Sequence, residues 1–401
     1  MPTHNIPQVF CFVIPPHMRA RIARHQTNDP RSTARATLDH MRELAKGHQP
    51  TLIERPAPPA PQDSPGDRQH VYDARHGHDL PGCQVLPDSD FRGDDVQVTE
   101  VWDGTRTTYD FFERVFGRRS IDGRGMRLDS TVHYGSGFEN AMWNGRQMVY
   151  GDGDGRIFVR FTKSLDVIAH ELTHGITQHA AGLGYTGETG ALNEHISDAF
   201  GIMVKQYALG HSADESDWLI GSELFGPEAA GCAVRSLALP GSAYDHPILG
   251  RDPQPSHIDG YVCTASDHGG VHINSGILNH AFYLAAIEIG GRTWEVLGQV
   301  WYAALTDRLR PDSDFDDFTR ATIDIAGERF GRGGKVQRAI VDAWADVGLA
   351  GPDPYCPESH DRGRDRRTRT AEHAAAQRRA QWRRQLAERR SSNPQTEKEN
   401  A

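Results

Sequence analysis

The segment His170-Glu-Leu-Thr-His174 constrains this chain more than any other feature of its sequence. Positions i and i+4 of a helix lie on one face, so a helix over this segment lets the two imidazoles bind a single ion. Glu171 lies beside them and can reach a water bound to that ion, and zinc suits such nitrogen and oxygen ligands. Alone, the motif is equally compatible with a chance occurrence in an ordinary amphipathic helix.

A second helical run supplies a carboxylate for the same ion. Glu194 follows His174 by twenty residues and opens a run with helical apolar spacing through Met203. A carboxylate there completes two-histidine, one-glutamate coordination and leaves a fourth position open. Asp198 lies one turn further on the same face, where it can accept a hydrogen bond from the remote nitrogen of a ligand imidazole. Alone, each acid would be interpreted as a surface residue, a cap or a salt-bridge partner; with the motif they indicate a zinc site.

The composition argues against several classes of protein. The 401 residues carry a net charge of −10, which makes nucleic acid an unlikely partner of the chain as a whole. The five cysteines are scattered and lack a CxxC pair, so neither a disulfide framework nor a thiolate metal site is indicated. No apolar run approaches the roughly 20 residues that span a bilayer. The run 9–14 is short and ends in Pro15-Pro16, so we expect secretion without a recognisable Sec signal peptide, with a cytoplasmic location as the alternative.

Composition also divides the chain into five regions. An apolar run and a stretch with helical potential come first, and a stretch rich in proline, glycine and aspartate then indicates a linker where proteases cut. The last region holds eleven arginines between Arg362 and Arg390, which favours a disordered or helical tail, or a contact for an acidic partner. The predicted N-terminal segment, linker, first lobe, second lobe and tail are 1–46, 47–70, 71–180, 181–350 and 351–401.

The body of the chain changes character near residue 165. Short strand-like runs separated by glycine-rich turns come first, at 96–101, 126–133 and 147–150. Five segments with helical spacing follow, at 166–181, 191–209, 274–289, 294–305 and 315–330. This order predicts an α+β fold of two lobes, strand-rich and then helical, and a cleft between lobes is a common place for a site.

Further blocks accompany the histidine motif in a fixed order. They are Asn140-Ala-Met-Trp143, Met148-Val-Tyr-Gly-Asp-Gly-Asp-Gly155, Ala181-Gly-Leu-Gly-Tyr185, Gly190-Ala-Leu-Asn-Glu194, Ile196-Ser-Asp-Ala-Phe-Gly201 and Gly269-Gly-Val-His-Ile-Asn-Ser-Gly276. With them, the chain resembles the thermolysin family of metallopeptidases over most of residues 71–349. The resemblance implies a two-lobed fold with the zinc cleft between the lobes, and a zinc-dependent endopeptidase that acts on proteins or peptides.

The resemblance also implies roles that the spacing alone leaves undefined. Tyr185 and His272 would donate hydrogen bonds to the oxyanion, and Asp267 would orient His272. Without the resemblance, the tyrosine and the histidine would be interpreted as packing residues. Substrate would be bound through hydrogen bonds and through an apolar pocket that prefers a hydrophobic residue just after the cut. The residues implied are Arg235, Asn140 and Ala141 for the hydrogen bonds, and Phe158, Val167 and Val234 for the pocket.

Calcium is a second cofactor that the resemblance raises. Members of the family bind it through clustered carboxylates near the zinc helix, and Asp166 and Asp217 stand at matching positions. Lys205, Leu219 and Ser222, however, occupy places where acids are often found. Because a lysine ammonium can replace part of a cation's charge, we expect at most one calcium ion.

The segment Phe10-Cys-Phe-Val-Ile-Pro-Pro-His17 resembles the short propeptide of the protealysin-like branch of the family. Such propeptides fold onto the catalytic lobes and block the cleft, which implies a precursor inhibited by its own N-terminal segment and cleaved within 47–70. Cys11 has two interpretations in this setting. We favour a small apolar residue of the segment over a thiolate that approaches the zinc.

Two other functions remain as alternatives. A catalytically silent protein on the same scaffold would hold peptides or acidic partners. The intact set of Glu171, Tyr185 and His272 argues against it, because a silent scaffold needs no general base. A weaker alternative makes the arginine-rich tail a nucleic-acid anchor whose affinity falls steeply with salt.

Overall fold

The computed structural model describes residues 10–26, 33–47, 69–85 and 94–349. The predicted arginine-rich tail lies outside these residues, as does the predicted linker apart from its ends. In the described ranges, no helix is both long and apolar enough to cross a membrane.

The N-terminal segment packs into the same core as the rest of the chain. It forms strand β1 (Cys11–Phe12) and helices α1 (Pro16–His25) and α2 (Ala34–Gly47), which confirms the helical potential predicted here. Apolar side chains between and within these elements are fully buried, namely Val13, Ile14, Met18 and Ile22. Arg19 of α1 is also buried and forms an ion pair with buried Glu139 of the first lobe. The segment is therefore held by both apolar burial and a desolvated charge pair.

The first lobe contains a six-stranded sheet that includes β1. Its other strands are β2 (Gln69–Asp73), β3 (Cys83–Val85), β4 (Leu128–Val132), β5 (Ala141–Trp143) and β6 (Met148–Tyr150). The order across the sheet is β1-β5-β6-β4-β2-β3. Strands β2, β4 and β6 run parallel, whereas β1, β3 and β5 are antiparallel to the strands beside them. The strands predicted at 126–133 and 147–150 are confirmed, and β2 begins two residues inside the predicted linker.

The strand predicted at 96–101 is wrong, because these residues begin helix α3 (Val96–Phe116). The Asp95 side chain accepts hydrogen bonds from the backbone N–H groups of Gln97 and Val98 and so caps the helix. The periodicity beyond residue 101 then continues the helix, and its buried face includes Val101, Gly104, Thr105, Thr108, Phe111 and Phe112. The cap and this longer helical periodicity outweigh the β-branched start of the run.

From Leu165 onward the chain is mainly helical, which confirms the five predicted helical segments. Helix α4 (Leu165–Ala180) lies within the predicted first lobe, and the predicted second lobe contains α5 (Gly187–Leu209), α6 (Asp267–Ile289), α7 (Leu297–Ala303), α8 (Phe315–Phe330) and α9 (Lys335–Asp346). Helix α9 was not predicted, and α6 is interrupted by left-handed backbone at residues 268–270. Two small two-stranded sheets pair β7 (Leu219–Ile220) with β8 (Arg235–Ser236) and β9 (Asp245–His246) with β10 (Gly250–Arg251).

Helices α4 and α5 approach each other closely. A Cβ at Gly201 of α5 would lie 2.7 Å from the carbonyl oxygen of Asp166 on α4, which is nearer than side chains approach a backbone. The glycine therefore lets the two helices meet. This close contact also brings Asp198 and Glu194, which lie one and two turns earlier on α5, near the buried face of α4.

Candidate active site

The two motif histidines lie on one buried face of α4. His170 and His174 are 0% and 2% exposed, and their Nε2 atoms lie 3.0 Å apart. Two nitrogen lone pairs at this distance repel each other unless a proton or a cation lies between them. The helix therefore presents two imidazoles in the arrangement that one ion can bridge.

Glu194 of α5 completes the group of ligand atoms. Its carboxylate oxygens lie 3.6 Å from Nε2 of His170 and 3.3 Å from Nε2 of His174. Tetrahedral zinc with bonds of about 2.0–2.1 Å separates its ligand atoms by roughly 3.3 Å, which these distances match. One carboxylate oxygen of Glu194 and one of Glu171 are buried without a hydrogen-bond partner in the described part of the chain. The residues therefore fit a zinc ion.

Each ligand imidazole has a further contact that orients it. Nδ1 of His170 lies 2.9 Å from Oδ1 of Asp198, where the sequence predicts it. Nδ1 of His174 lies 2.9 Å from Oδ1 of Asn193 and 3.0 Å from Oγ of Ser197. Asn193 and Ser197 were not predicted, although each directly precedes a predicted site residue on α5. Their position next to Glu194 and Asp198 is the signal that would have found them.

Arg235 supports Asp198 from the opposite side. Its Nε and Nη2 donate hydrogen bonds of 2.7 and 2.8 Å to the two carboxylate oxygens, and Nδ2 of Asn279 donates another of 2.9 Å. Burial acts to raise the pKa of Asp198, but Arg235 and His170 outweigh it and hold that pKa at about 2. Asp198 is therefore an anion that can fix the His170 ring.

Glu171 faces the same group from α4. Its Oε2 accepts a hydrogen bond of 2.8 Å from the backbone N–H of Trp143 on β5. This contact was not predicted, and it fixes the carboxylate while Oε1 stays without a partner among the described residues. Burial raises the pKa of Glu171 to about 8. A carboxyl group with such a pKa can gain and release a proton near neutral pH.

Asp267 and His272 form a pair at the start of α6. Nδ1 of His272 donates a hydrogen bond of 2.6 Å to Oδ1 of Asp267, and its backbone N–H donates one of 3.0 Å to Oδ2. Burial acts to lower the pKa of His272, but Asp267 and Glu194 outweigh it and raise that pKa to about 9. The Tyr185 hydroxyl lies 3.4 Å from Nε2 of His272 and donates to Glu194. Two donors therefore lie on one side of the metal group.

The chain's own N-terminal segment is added as a strand beside these residues. Strand β1 pairs antiparallel with β5, and the N–H of Val13 continues the pairing with a 3.2 Å bond to the carbonyl of Ala141. Oδ1 of Asn140 accepts a 2.9 Å bond from the N–H of Ile14, and its Nδ2 donates to the Ile14 carbonyl at 3.3 Å. Asn140 and Ala141, predicted as substrate contacts, here bind an internal segment.

Two backbone carbonyls of that segment meet side-chain donors in the cleft. Nε2 of His272 donates a 2.8 Å bond to the carbonyl of Phe12. Nη1 of Arg235 donates a 3.2 Å bond to the carbonyl of Val13. The peptide bond between Phe12 and Val13 therefore lies between His272, predicted to contact the oxyanion, and Arg235, predicted to contact a substrate carbonyl.

Two adjacent family models match this chain. The model described as "Thermolysin metallopeptidase, catalytic domain" matches residues 66–178, and "Thermolysin metallopeptidase, alpha-helical domain" matches residues 181–349. The chain belongs to the thermolysin family of metallopeptidases. An "Extracellular metalloprotease" of Pectobacterium carotovorum subsp. carotovorum is 47% identical over 340 residues, which are 84% of this chain and 96% of that protein. "Protease PrtS" of Photorhabdus sp. (strain Az29) is 40% identical over 344 residues, 84% of this chain and 91% of that protein.

A solved structure refines the assignment within the thermolysin family. The precursor of protealysin, a metalloproteinase from Serratia proteamaculans, is similar with a TM-score of 0.75 and 44% sequence identity. The match covers 85% of this chain and 100% of that one. The chain therefore has the two-lobed thermolysin fold and falls in the protealysin-like branch. It is a zinc metalloendopeptidase.

In this thermolysin-family enzyme, Cys11 lies buried beside the metal group. Burial, together with the charges of Glu194 and Glu171, raises the pKa of its thiol well above the usual range. The ligand atoms that converge at this group, within the described part of the chain, are those of His170, His174 and Glu194, without Cys11. This geometry favours the interpretation of Cys11 as a small buried side chain over a thiolate ligand.

The three predicted pocket residues lie in the apolar core. Phe158, Val167 and Val234 are 0%, 0% and 1% exposed, and they belong to the same apolar cluster as Val13 of the N-terminal segment. That cluster is the main core of both lobes, and Val13, which follows the Phe12 carbonyl, is fully buried in it.

The two predicted calcium residues surround a lysine of α5. Nζ of Lys205 lies 3.1 Å from Oδ2 of Asp166 and 3.2 and 3.0 Å from the carboxylate oxygens of Asp217. It also donates a 3.3 Å bond to the carbonyl of Leu219. Burial acts to lower the pKa of Lys205, but the two aspartates outweigh it and raise that pKa well above the usual range. An ammonium group thus lies among oxygen atoms of the type that bind calcium.

Proposed function

We propose that this zinc endopeptidase is made as an inactive precursor whose N-terminal segment occupies the substrate cleft, and that it prefers a hydrophobic residue just after the cut. The observation that carries the proposal is the Phe12 carbonyl, hydrogen-bonded by His272 beside the His170, His174 and Glu194 group. A backbone held in this position presents its carbonyl as a substrate would.

The proposed chemistry divides between the ion and the residues around it. When bound by His170, His174 and Glu194, zinc would polarise a carbonyl and lower the pKa of a bound water. Glu171 takes a proton from the attacking water and passes it to the leaving amine. Its Oε1, which has no partner among the residues that the structure describes, and the Trp143 N–H that fixes its Oε2 support this role.

Oxyanion stabilisation is assigned to two donors. His272 and Tyr185 donate to the carbonyl oxygen as negative charge develops on it, and Asp267 holds the His272 ring in place. A donor of this kind typically contributes about 2.7–4 kcal/mol to the transition state. The 2.8 Å bond from His272 to the Phe12 carbonyl supports the position of the first donor.

Substrate recognition follows the contacts of the N-terminal segment. Arg235 binds the carbonyl of the residue after the cut, and Asn140 and Ala141 pair with the substrate backbone as a neighbouring strand. The apolar character of the pocket residues and the full burial of Val13, the residue after the Phe12 carbonyl, support a preference for a hydrophobic side chain there. The pocket residues are Phe158, Val167 and Val234.

Activation requires removal of the N-terminal segment. We place the segment at 1–46, cleavage in the linker at 47–70, the catalytic lobes at 71–180 and 181–350, and the tail at 351–401. The extracellular relative supports secretion of the enzyme. The ammonium of Lys205 between Asp166 and Asp217 supports at most one calcium ion.

The test compares the purified wild-type chain with Glu171→Gln. On incubation, the wild-type chain should shorten by cleavage within 47–70 and then hydrolyse casein in a reaction that a zinc chelator stops. The variant should keep its zinc and its full length and lose casein hydrolysis, because its amide cannot accept the proton. N-terminal sequencing, mass measurement and metal content provide the readouts.

Two results would contradict the proposal. Casein hydrolysis by Glu171→Gln at the wild-type rate removes the general-base assignment. A wild-type chain that binds peptides but hydrolyses none, with zinc present and the segment removed, favours the catalytically silent alternative. Full activity of the uncleaved chain would refute only the inhibitory role of the segment.

A further inference from the structure

A second group of metal-ligand side chains lies at the carboxyl ends of three parallel strands. His76 comes three residues after β2, His133 directly follows β4, and Asp152 comes two residues after β6. Since β2, β4 and β6 are parallel neighbours, their carboxyl ends meet at one edge of the sheet. This edge is where open sheets with parallel strands commonly bind ligands.

The three side chains converge on one point. Nδ1 of His76 lies 3.1 Å from Oδ2 of Asp152, and Nδ1 of His133 lies 3.0 Å from Oδ1 of the same carboxylate. One ligand atom from each residue lies within 4.8 Å of the other two. The strand ends are also tied together, since the N–H of His76 donates a 2.9 Å bond to the carbonyl of His133.

The contacts of His133 with two carboxylates favour a cation at this position. Its Nε2 lies 2.8 Å from Oδ2 of Asp95, the cap of α3, while its Nδ1 faces Asp152. A neutral imidazole carries one N–H, so either tautomer leaves a nitrogen lone pair facing a carboxylate. A second proton or a metal ion removes that repulsion. The hydrogen bond to Asp152, together with Asp95, outweighs burial and raises the pKa of His133 to about 9. A proton therefore competes with a metal ion for this position.

Asp95 favours the metal-binding tautomer. If Nε2–H of His133 donates to Asp95, Nδ1 is free to bind a metal, and a carboxylate on the remote nitrogen is the common partner of a ligand histidine. Gln97 adds a further ligand atom. Its Nε2 lies 2.9 Å from Oδ1 of Asp152 and 3.3 Å from Nδ1 of His133, whereas its buried Oε1 has no partner in the described residues. Rotating the amide by a half-turn would bring Oε1 to the site.

We propose that His76, His133 and Asp152 bind a second divalent transition-metal ion of the zinc class, separate from the catalytic one. Two imidazoles and one carboxylate are ligands that zinc accepts, and Gln97 or water fills the fourth position. The ion joins the ends of three strands to the start of α3. Its role is to stabilise the first lobe, because none of its ligands lies on α4, α5 or α6.

The test measures zinc per chain after equilibration of the full-length protein in zinc-buffered solution. The wild-type chain should hold two ions, and His76→Ala and Asp152→Asn should each hold one. After removal of the N-terminal segment, both variants should hydrolyse peptides as the wild type does. The matched control is His78→Ala, which removes an exposed histidine of the same loop that lies outside the group. This control should still hold two ions.

Thermal unfolding provides the second readout. Zinc beyond the first equivalent should raise the Tm of the wild-type chain and of His78→Ala and should leave the Tm of His76→Ala unchanged. A wild-type chain that saturates at one zinc ion overturns the proposal. So does an equal loss of zinc from His76→Ala and His78→Ala, because that result marks adventitious binding to surface histidines.

Discussion

Two regions along the α4–α5 contact bring negatively charged or lone-pair atoms close together, and they differ in what offsets the repulsion among those atoms. In one, His170, His174 and Glu194 turn three buried ligand atoms toward each other at 3.0–3.6 Å. In the other, Asp166 and Asp217 face Lys205, whose ammonium lies 3.0–3.2 Å from three of their oxygens. Both regions draw on the same two helices.

The difference between the two regions lies in where the cation comes from. An ammonium group on a flexible stem satisfies charge but offers no vacant orbital, so it can stabilise carboxylates and cannot activate water. The His170, His174 and Glu194 group suits a metal ion, which can activate water. The charges of Asp166 and Asp217 are instead neutralised by a lysine side chain. Substitutions that change the cation in one region should therefore leave the other region intact.

The largest effect is expected from Glu194→Ala in the first region. Loss of this ligand should release zinc and lower kcat/KM by roughly 10³-fold or more, since the ion supplies several kcal/mol of transition-state stabilisation. Glu188→Ala, in the first turn of the same helix, is the matched control and should retain both zinc and activity. Zinc content and peptide hydrolysis measure the change, and a zinc-loaded, active Glu194→Ala enzyme would rule out the ligand assignment.

A smaller effect is expected from Lys205→Ala in the second region. Removing the ammonium leaves Asp166, whose side chain is 0% exposed, without its cation. The free energy of unfolding should fall by about 3 kcal/mol, as when a buried ion pair loses one partner. Urea unfolding measures the loss, and exposed Lys163→Ala should unfold as the wild type does.

Calcium should then affect the stability of Lys205→Ala and of the wild-type chain differently. It should restore part of the stability of Lys205→Ala, because the variant leaves oxygen ligands around a vacant position. It should change the Tm of the wild-type chain little. A calcium-dependent rise in Tm that is as large in the wild type as in the variant would show that the lysine does not replace the ion.

The smallest effect is expected from Asp198→Asn, which alters a partner of the zinc site and no ligand. Zinc affinity should fall roughly 10- to 100-fold, the usual result of changing the carboxylate on a ligand histidine. Competition with a chelator of known affinity measures the change. Asp217→Asn serves as the comparison in the lysine region, and an equal loss of zinc from that variant would mean that the two regions are coupled.

The sequence predicts which side chains of the candidate zinc site converge because the information that places them is local. His170 and His174 are one turn apart on one helix, and Asp198 is one turn beyond Glu194, so helical periodicity alone sets their faces. The strand predicted at 96–101 is wrong although the deciding information is also local. The prediction followed a short β-branched run, whereas the Asp95 cap and a helical pattern that extends to residue 116 determine the structure.

The contacts with the N-terminal segment could be anticipated only in outline. The bond from His272 to the Phe12 carbonyl joins residues 260 positions apart, and no periodicity encodes such a distance. The resemblance of the segment to a short propeptide suggested that it covers the cleft. Which carbonyl meets which donor depends on the register of β1 on β5, which a two-residue strand does not specify.

The guanidinium of Arg235 connects the N-terminal segment in the cleft to a histidine of the candidate zinc site. Arg235 donates to the Val13 carbonyl through Nη1 and to Asp198 through Nε and Nη2, and Asp198 contacts the ligand His170. Thermodynamic reciprocity then applies: if zinc tightens the hold on the N-terminal segment, the segment tightens the hold on zinc by the same factor. Under that condition, a chain that keeps the segment and a chain that has lost it would bind zinc with different affinities.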